Sequence, residues 1–261
     1  MAEIHPTAVI SPKAEIADDV TIGAFCVVGP NVELGSGVVI DSHVVVEGVT
    51  TIAAGVRIFP FAAVGKQPQD LKYAGEASRL DVGANTVIRE HATLHTGTEG
   101  GGMVTSIGAN CLLMVGAHIA HDCQLGDHVI IVNNVLLGGH VEVDDFAIVG
   151  GQSAVLQRVR IGRHAMIGGG SAVDEDVIPY ATAMGNRARL QSLNLIGLKR
   201  RGFSREEIHA LRAAYRELFA DGGQFLDRVE SVAEKYQGRQ LVQDVIDFIK
   251  ADTSRAICQP E

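Results

Sequence analysis

Residues 4–64 read, in blocks of six, IHPTAV ISPKAE IADDVT IGAFCV VGPNVE LGSGVV IDSHVV VEGVTT IAAGVR IFPFAA V. Every block opens on an aliphatic residue, from Ile4 and Ile10 through Leu34 and Val46 to Val64. A second run in a new phase goes from Ile107 through Leu113, Ile119, Leu125, Ile131 and Leu137 to Val173, and the short piece Val82, Ile88, Leu94 lies between the two. A fixed six-residue period over most of a chain is the signature of a hexapeptide parallel β-helix, in which each short strand forms one face of a coil. The fifth slot of the block is restricted too, holding Ala8, Val20, Cys26, Val38, Cys111 and Cys123. Slots five and one are two residues apart, so in extended chain both point into the prism. Slot two is often glycine (Gly23, Gly35, Gly108, Gly126, Gly138), as expected where a turning chain needs permissive backbone angles.

Two insertions interrupt the repeat, one near residues 66–80 and a Gly-rich one near 96–106, and both are expected to protrude as loops. The first keeps the phase and the second shifts it. Beyond Pro179-Tyr180 the pattern changes. Ser204 with Glu207 forms a capping box, and Ile208, Leu211, Tyr215 and Leu218 follow at helical spacing. Two more helical patterns run around Phe225 to Tyr236 and Leu241 to Ile249. The expected organisation is an all-β solenoid over residues 1–189 and a small α-helical C-terminal domain over 190–261, able to cap the solenoid's open edge.

The chain has 261 residues, 46% of them hydrophobic, and no apolar stretch approaches the ~20 residues of a membrane span. With no charged-then-apolar leader, and with Cys26, Cys111 and Cys123 all in the inward slot five, a soluble protein of the reducing cytoplasm is expected. A net charge of −9 argues against a nucleic-acid partner. Locally the sign reverses. Lys199, Arg200, Arg201, Arg205, Arg212 and Arg216 cluster at the start of the helical segment, which suits either a solvated helix face or a docking patch for an acidic partner.

Five histidines (His43, His91, His128, His140, His164) occupy slot four, a corner position expected to be exposed. With a coil of 18 residues, Asp122 and His140 share one column of adjacent coils and His121 lies beside it. Three converging polar side chains beside Gly138-Gly139 suit a general base oriented by a neighbour, with a backbone N–H free for an oxyanion. Zinc on His118, His121 and His140 is the alternative, and a site without metal is preferred. No Gly-x-Ser-x-Gly elbow is present, so nucleophilic catalysis fits less well.

The solenoid, the loop Gln69-Asp70-Leu71-Lys72-Tyr73-Ala74-Gly75-Glu76, the segment from His118 to Cys123, Ala147 to Gly151, and Gly197 to Ser204 together closely resemble the UDP-N-acetylglucosamine O-acyltransferases that start lipid A biosynthesis. The resemblance runs from about residue 4 to 220. It implies a homotrimer of left-handed β-helices with active sites between subunits, and transfer of a 3-hydroxyacyl chain from acyl carrier protein to the 3-hydroxyl of the sugar. It implies His121 as general base, Asp122 and His140 as its supports, and the Gly139 N–H as oxyanion donor. Asp70, Lys72, His118, Gln157, Asn194 and Arg200 would bind the sugar nucleotide, Gly169 and Met166 would set the acyl length, and Arg201, Arg205, Arg212 and Arg216 would receive the carrier protein. No cofactor is implied, because the acyl group arrives on the carrier's phosphopantetheine.

Two positions depart from the pattern: Leu156-Gln157-Arg158 stands where relatives tend to have His-Gln-Phe, and Ile196 where they often carry Glu. These bear on whether the acceptor presents a 3-hydroxyl or a 3-amino group. The alternatives are the N-acyltransferase of the same pathway, which carries a domain before its solenoid whereas hexads here begin at Ile4, a γ-type carbonic anhydrase, and a purely structural solenoid.

Overall fold

The structure, a computed structural model, describes residues 1–252 and 254–260. Among the described residues the hexads form short strands, most of two residues, that stack into three sheets of 11, 9 and 8 strands, parallel except for the last pair of the first, one sheet per face of a triangular prism. We call them the first, second and third faces in that order. Registers follow the repeat: Ile4 pairs with Ile22 on the first face, Ile119 with Leu137 on the second and Leu125 with Val143 on the third. The fold is the expected left-handed parallel β-helix. Slot-one and slot-five side chains fill its interior, where Ile22, Cys26, Ile40, Leu113, Ile119 and Leu137 are almost fully buried.

The outward residues differ between faces. On the first they are mostly aliphatic, with Val39, Val87, Leu112, Ile130, Ile148 and the exposed Met166 in one column that also holds Arg57 and passes on to Thr182. On the third they are Glu33, Thr51, Asp81, Ser106, Gln124 and Glu142.

The corners correct one expectation. The left-handed backbone conformation falls on slot four, at Phe25, His43, Asn85, Asn110, Asp122 and His140 among others, with φ between 57° and 61°. Most slot-two glycines lie outside that region and serve a different need. A Cβ on Gly23 would come within 2.8 Å of the Ser42 backbone nitrogen, and one on Gly138 within 2.8 Å of the Gln157 nitrogen. Slot two is glycine because the next coil passes too close for a side chain.

Slot four is also not uniformly exposed. His164 is stacked between Phe146 and Tyr180, at centroid distances of 4.8 and 5.6 Å, and burial lowers its pKa to about 4. Four helices follow the solenoid among the described residues: α1 (Leu195–Arg200), α2 (Arg205–Leu218), α3 (Phe225–Lys235) and α4 (Gln240–Ala251). Ser204 caps α2 as its pattern requires, accepting the Glu207 N–H. The short α1 was not read from the sequence. The expected division at residue 189 meets a continuing sheet, because Arg189–Leu193 pairs antiparallel with Ala181–Met184 on the first face. The tail also returns to the solenoid: Ile257 bridges Asp176, and the Cys258 thiol is buried and donates to the Ala188 carbonyl. Thr253 and Glu261, within the expected helical segment, lie outside the described residues. No helix among the described residues is long and apolar enough to cross a membrane.

Candidate active site

His121 and Asp122 occupy slots three and four at the corner between the second and third faces. The Asp122 amide donates to Thr105 Oγ1 at 2.7 Å, which fixes the corner in its left-handed conformation. Its carboxylate is buried and fully engaged: Oδ1 accepts the Thr98 N–H at 2.8 Å, and Oδ2 accepts the Thr98 hydroxyl at 2.5 Å and His121 Nδ1 at 2.8 Å. A carboxylate on Nδ1 holds the proton there, so the neutral imidazole presents Nε2 as a base. The pair lies in the order that general-base chemistry requires.

The second insertion builds this pocket. Rather than protruding as expected, it folds back so that His95, Thr96 and Thr98 are each 5% exposed or less. Two of its glycines are needed for closeness, since a Cβ on Gly97 would overlap the Val104 backbone nitrogen and one on Gly101 the Asp122 carboxylate. The loop spans 96–103, because Val104 already begins the next strand. The first insertion does project, from 67 to 78, with Leu71 fully exposed.

Around His121 stand three further imidazoles. The ring of His140, in the next coil, meets that of His121 edge to face at 5.0 Å, with its Nδ1 3.8 Å from Asp122 Oδ2. His118 is held by Thr93 Oγ1 at 2.7 Å and meets His95 edge to face at 5.0 Å. Burial lowers the pKa of His140, His118 and His95, the last to about 4, so all three are neutral near pH 7. Of the four rings, His121 is the one hydrogen-bonded to the Asp122 carboxylate.

A cleft of about 640 Å³ opens on the second face, lined by Gln69, His118, His121, Gly139 and Gln157. His121, Gly139 and Gln157 form one slot-three column, and among the described residues no acceptor lies within hydrogen-bonding reach of the Gly139 N–H. A second cleft, of about 870 Å³, lies on the third-face side and has Asp122, His140 and Arg158 in its lining. The active-site ridge separates the two.

The predicted residues divide into two groups. His118, His121, Asp122, Gly139, His140 and Gln157 are brought together, with Asp70 half-buried in the adjoining loop and Lys72 exposed on it. Asn194 and Arg200 are not. Asn194 caps α1 through Gly197 and donates to the His164 carbonyl at the opposite corner, between the third and first faces, and Arg200 is exposed at the end of α1. Arg201 lies over the Phe146 ring at 4.1 Å, on that same corner. Arg205, Arg212 and Arg216 are exposed on α2, and none of them forms an ion pair among the described residues. Gly169 and Met166 lie at the first face and its corner with the second.

Thr98, Thr105 and His95 escaped the sequence reading, in which only the glycine content of the second insertion signalled close packing. Among the described residues the metal-capable set is His121, Asp122 and His140, whose ligand atoms lie within 4.8 Å of one another, and not the set containing His118. Three hydrogen bonds to the Asp122 carboxylate leave it little capacity for an ion. The cysteines stay inert, with burial pushing the Cys123 thiol up to about 12.

Comparison with known proteins identifies the family of the chain. Residues 176–258 match the family model described as UDP-N-acetylglucosamine O-acyltransferase, domain 2, and residues 13–48 and 105–139 match the bacterial transferase hexapeptide. An acyl-[acyl-carrier-protein]--UDP-N-acetylglucosamine O-acyltransferase of Caulobacter vibrioides is 52% identical, over 99% of this chain and 98% of its own. The enzyme of the same name from Rhizobium johnstonii is 46% identical over 99% and 95%. The solved structure of LpxA from Acinetobacter baumannii is 44% identical and superposes with a TM-score of 0.95, covering 98% of this chain and 99% of that one. With identity of this order along its whole length, the chain belongs to the UDP-N-acetylglucosamine O-acyltransferase family.

Proposed function

We propose that this protein transfers a 3-hydroxyacyl chain from acyl carrier protein to the 3-position of UDP-N-acetylglucosamine, the first step of lipid A biosynthesis, as the names of its relatives indicate. The observation that carries the mechanism is the buried His121–Asp122 pair, with Nδ1 fixed and Nε2 directed to the cleft beside Gly139. Nε2 of His121 takes the proton of the sugar hydroxyl as its oxygen attacks the thioester carbon. The Gly139 N–H donates to the oxyanion that forms. The C–S bond then breaks, and the departing thiolate recovers the proton from the His121 imidazolium. A thioester is already activated, so positioning, one base and one oxyanion donor suffice.

The site is completed by a second copy of the chain. Asn194 and Arg200 stand at a different corner from His121, so one protomer cannot present both to one substrate. The aliphatic outward columns of the first face match a buried contact, whereas the polar third face suits solvent. A homotrimer around the first and second faces brings the Asn194 corner of one subunit beside the His121 corner of its neighbour. The exposed arginines of α1 and α2 then receive the acidic carrier protein. No cofactor is needed, and the place of work is the cytoplasm, where the carrier is charged.

The test is an assay of the purified protein with 3-hydroxyacyl carrier proteins against UDP-N-acetylglucosamine and its 3-amino analogue, with and without a chelator. Transfer to the 3-hydroxyl that survives chelation and falls ~10² to 10⁴-fold in His121→Ala is expected. If that variant keeps more than a tenth of wild-type turnover, His121 is not the base. Loss of activity on chelation would return the site to a metalloenzyme.

A further inference from the structure

The backbone ladder at the active-site corner has a regular step. In the two coils after Asp122 the slot-four amide donates to the slot-three carbonyl of the coil before, His140 to His121 at 2.9 Å and Arg158 to Gly139 at 3.0 Å. At the next coil the step fails, because the Asp176 amide donates to Ala256 of the C-terminal tail at 2.9 Å. That leaves the Gln157 carbonyl without its backbone partner. The guanidinium of Arg255 takes the vacant role: Nη2 donates to the Gln157 carbonyl at 2.7 Å, Nε to that of Arg158 at 3.2 Å and Nη1 to that of Asp174 at 3.1 Å.

Around it the tail behaves as a substitute coil. Ile257 bridges Asp176, the Cys258 amide donates to the Asp176 carbonyl at 2.8 Å, and the Leu190 amide donates to Gln259 at 3.0 Å. Its upstream end is fixed by Arg160, which is paired with the buried Asp176 and donates to the carbonyls of Phe248 and Asp252 at 3.0 Å each. The strap also walls the third-face cleft through Asp252, Ser254, Arg255 and Ala256.

We propose that Arg255 is a positioning residue of the active site: by closing the ladder at Gln157 and Arg158, the C-terminal strap sets the level of the slot-three column and holds Gln157 where it meets the sugar nucleotide. A charged donor shared by three carbonyls is stronger than the N–H it replaces and reaches three peptide groups at once. The assignment of the sugar nucleotide to Gln157 rests on the proposed function, whereas the hold on the corner does not.

Two measurements on Arg255→Gln separate these. Hydrogen exchange of the substrate-free protein reads the corner directly: the Arg158 amide and its neighbours are expected to exchange at least tenfold faster, with the α2–α4 amides unchanged. Steady-state kinetics reads the consequence: KM for UDP-N-acetylglucosamine rises on the order of tenfold, the scale of one charge-assisted hydrogen bond, while kcat and KM for the acyl donor stay within about twofold. Arg255→Lys restores part of the KM, and Gln157→Ala shows the same defect without adding to it in the double variant. The buried Val245→Ala of α4 serves as control, lowering thermal stability with no change in KM. Unchanged corner exchange overturns the proposal, as does faster exchange with unaltered KM, or an equal rise in KM in the control. A wild-type enzyme that does not turn over this sugar nucleotide would overturn the proposed function, and the exchange result would still decide whether the strap holds the corner.

Discussion

A Cβ on Gly139 would stand 2.5 Å from Nε2 of His121, so the imidazole of one coil rests directly on the bare backbone of the next. Gly139 has no left-handed φ, which leaves this closeness as the reason for glycine there. Gly139→Ala is therefore expected to fold normally and push the ring off its position, lowering kcat by roughly 10²-fold, the scale of a misplaced catalytic group. A circular dichroism spectrum and melting point like the wild type, with that loss, would confirm it; wild-type kcat would show that the ring has room to move.

Thr98 supplies two of the three hydrogen bonds to the Asp122 carboxylate. Thr98→Val keeps the shape and the backbone N–H but removes the hydroxyl, at about 1–3 kcal/mol for a buried bond to a charged group. A fall in kcat of about tenfold or more is expected, with little change in either KM. Equal loss in KM would place Thr98 in substrate binding.

Arg212 and Arg216 project from one exposed face of α2. Arg212→Glu with Arg216→Glu is expected to raise KM for the acyl carrier protein, most strongly at low salt, and to spare the sugar nucleotide. An unchanged KM for the carrier at low ionic strength would leave these residues as a solvated helix face.

Gly169 is exposed, and a Cβ there would meet the Gly151 carbonyl oxygen at 3.2 Å, so a longer side chain must project outward. Gly169→Met is expected to shift preference toward shorter acyl donors, since each methylene denied burial forfeits ~0.8 kcal/mol. Turnover across a series of donor lengths checks this, and an identical profile would remove Gly169 from the acyl groove.

His164 is stacked among aromatic rings with its Nδ1 buried and unpartnered among the described residues, and its pKa falls from 6.5 to about 4. Between those values the unfolded chain binds the proton and the folded one does not, so this group weakens the fold as pH drops from about 6.5 to about 4. His95 acts in the same direction over the same window. His164→Phe extends the stack and removes one of these terms. Denaturant midpoints measured from pH 7.5 down to 4.5 should fall less steeply in the variant. Parallel curves would mean that His164 does not titrate on unfolding.

The spacing of Ile4 to Val64 and of Ile107 to Val173 determined the coil, its inward slots and the register that sets Asp122 above His140, because a prism of short strands admits one repeat length and stacking turns sequence distance into position. Ser204 and Glu207 fixed the start of α2 in the same local way. Tertiary structure alone decided the rest. Thr98 reaches Asp122 because an inserted loop folds back. Slot-two glycines yield to the approach of the next coil, not to their own backbone angles. The separation of Asn194 from His121 comes from the prism having three corners, and the hold of Arg255 on Gln157 joins residues 98 positions apart. Such contacts follow no period, and a linear pattern carries information only about neighbours at its own spacing.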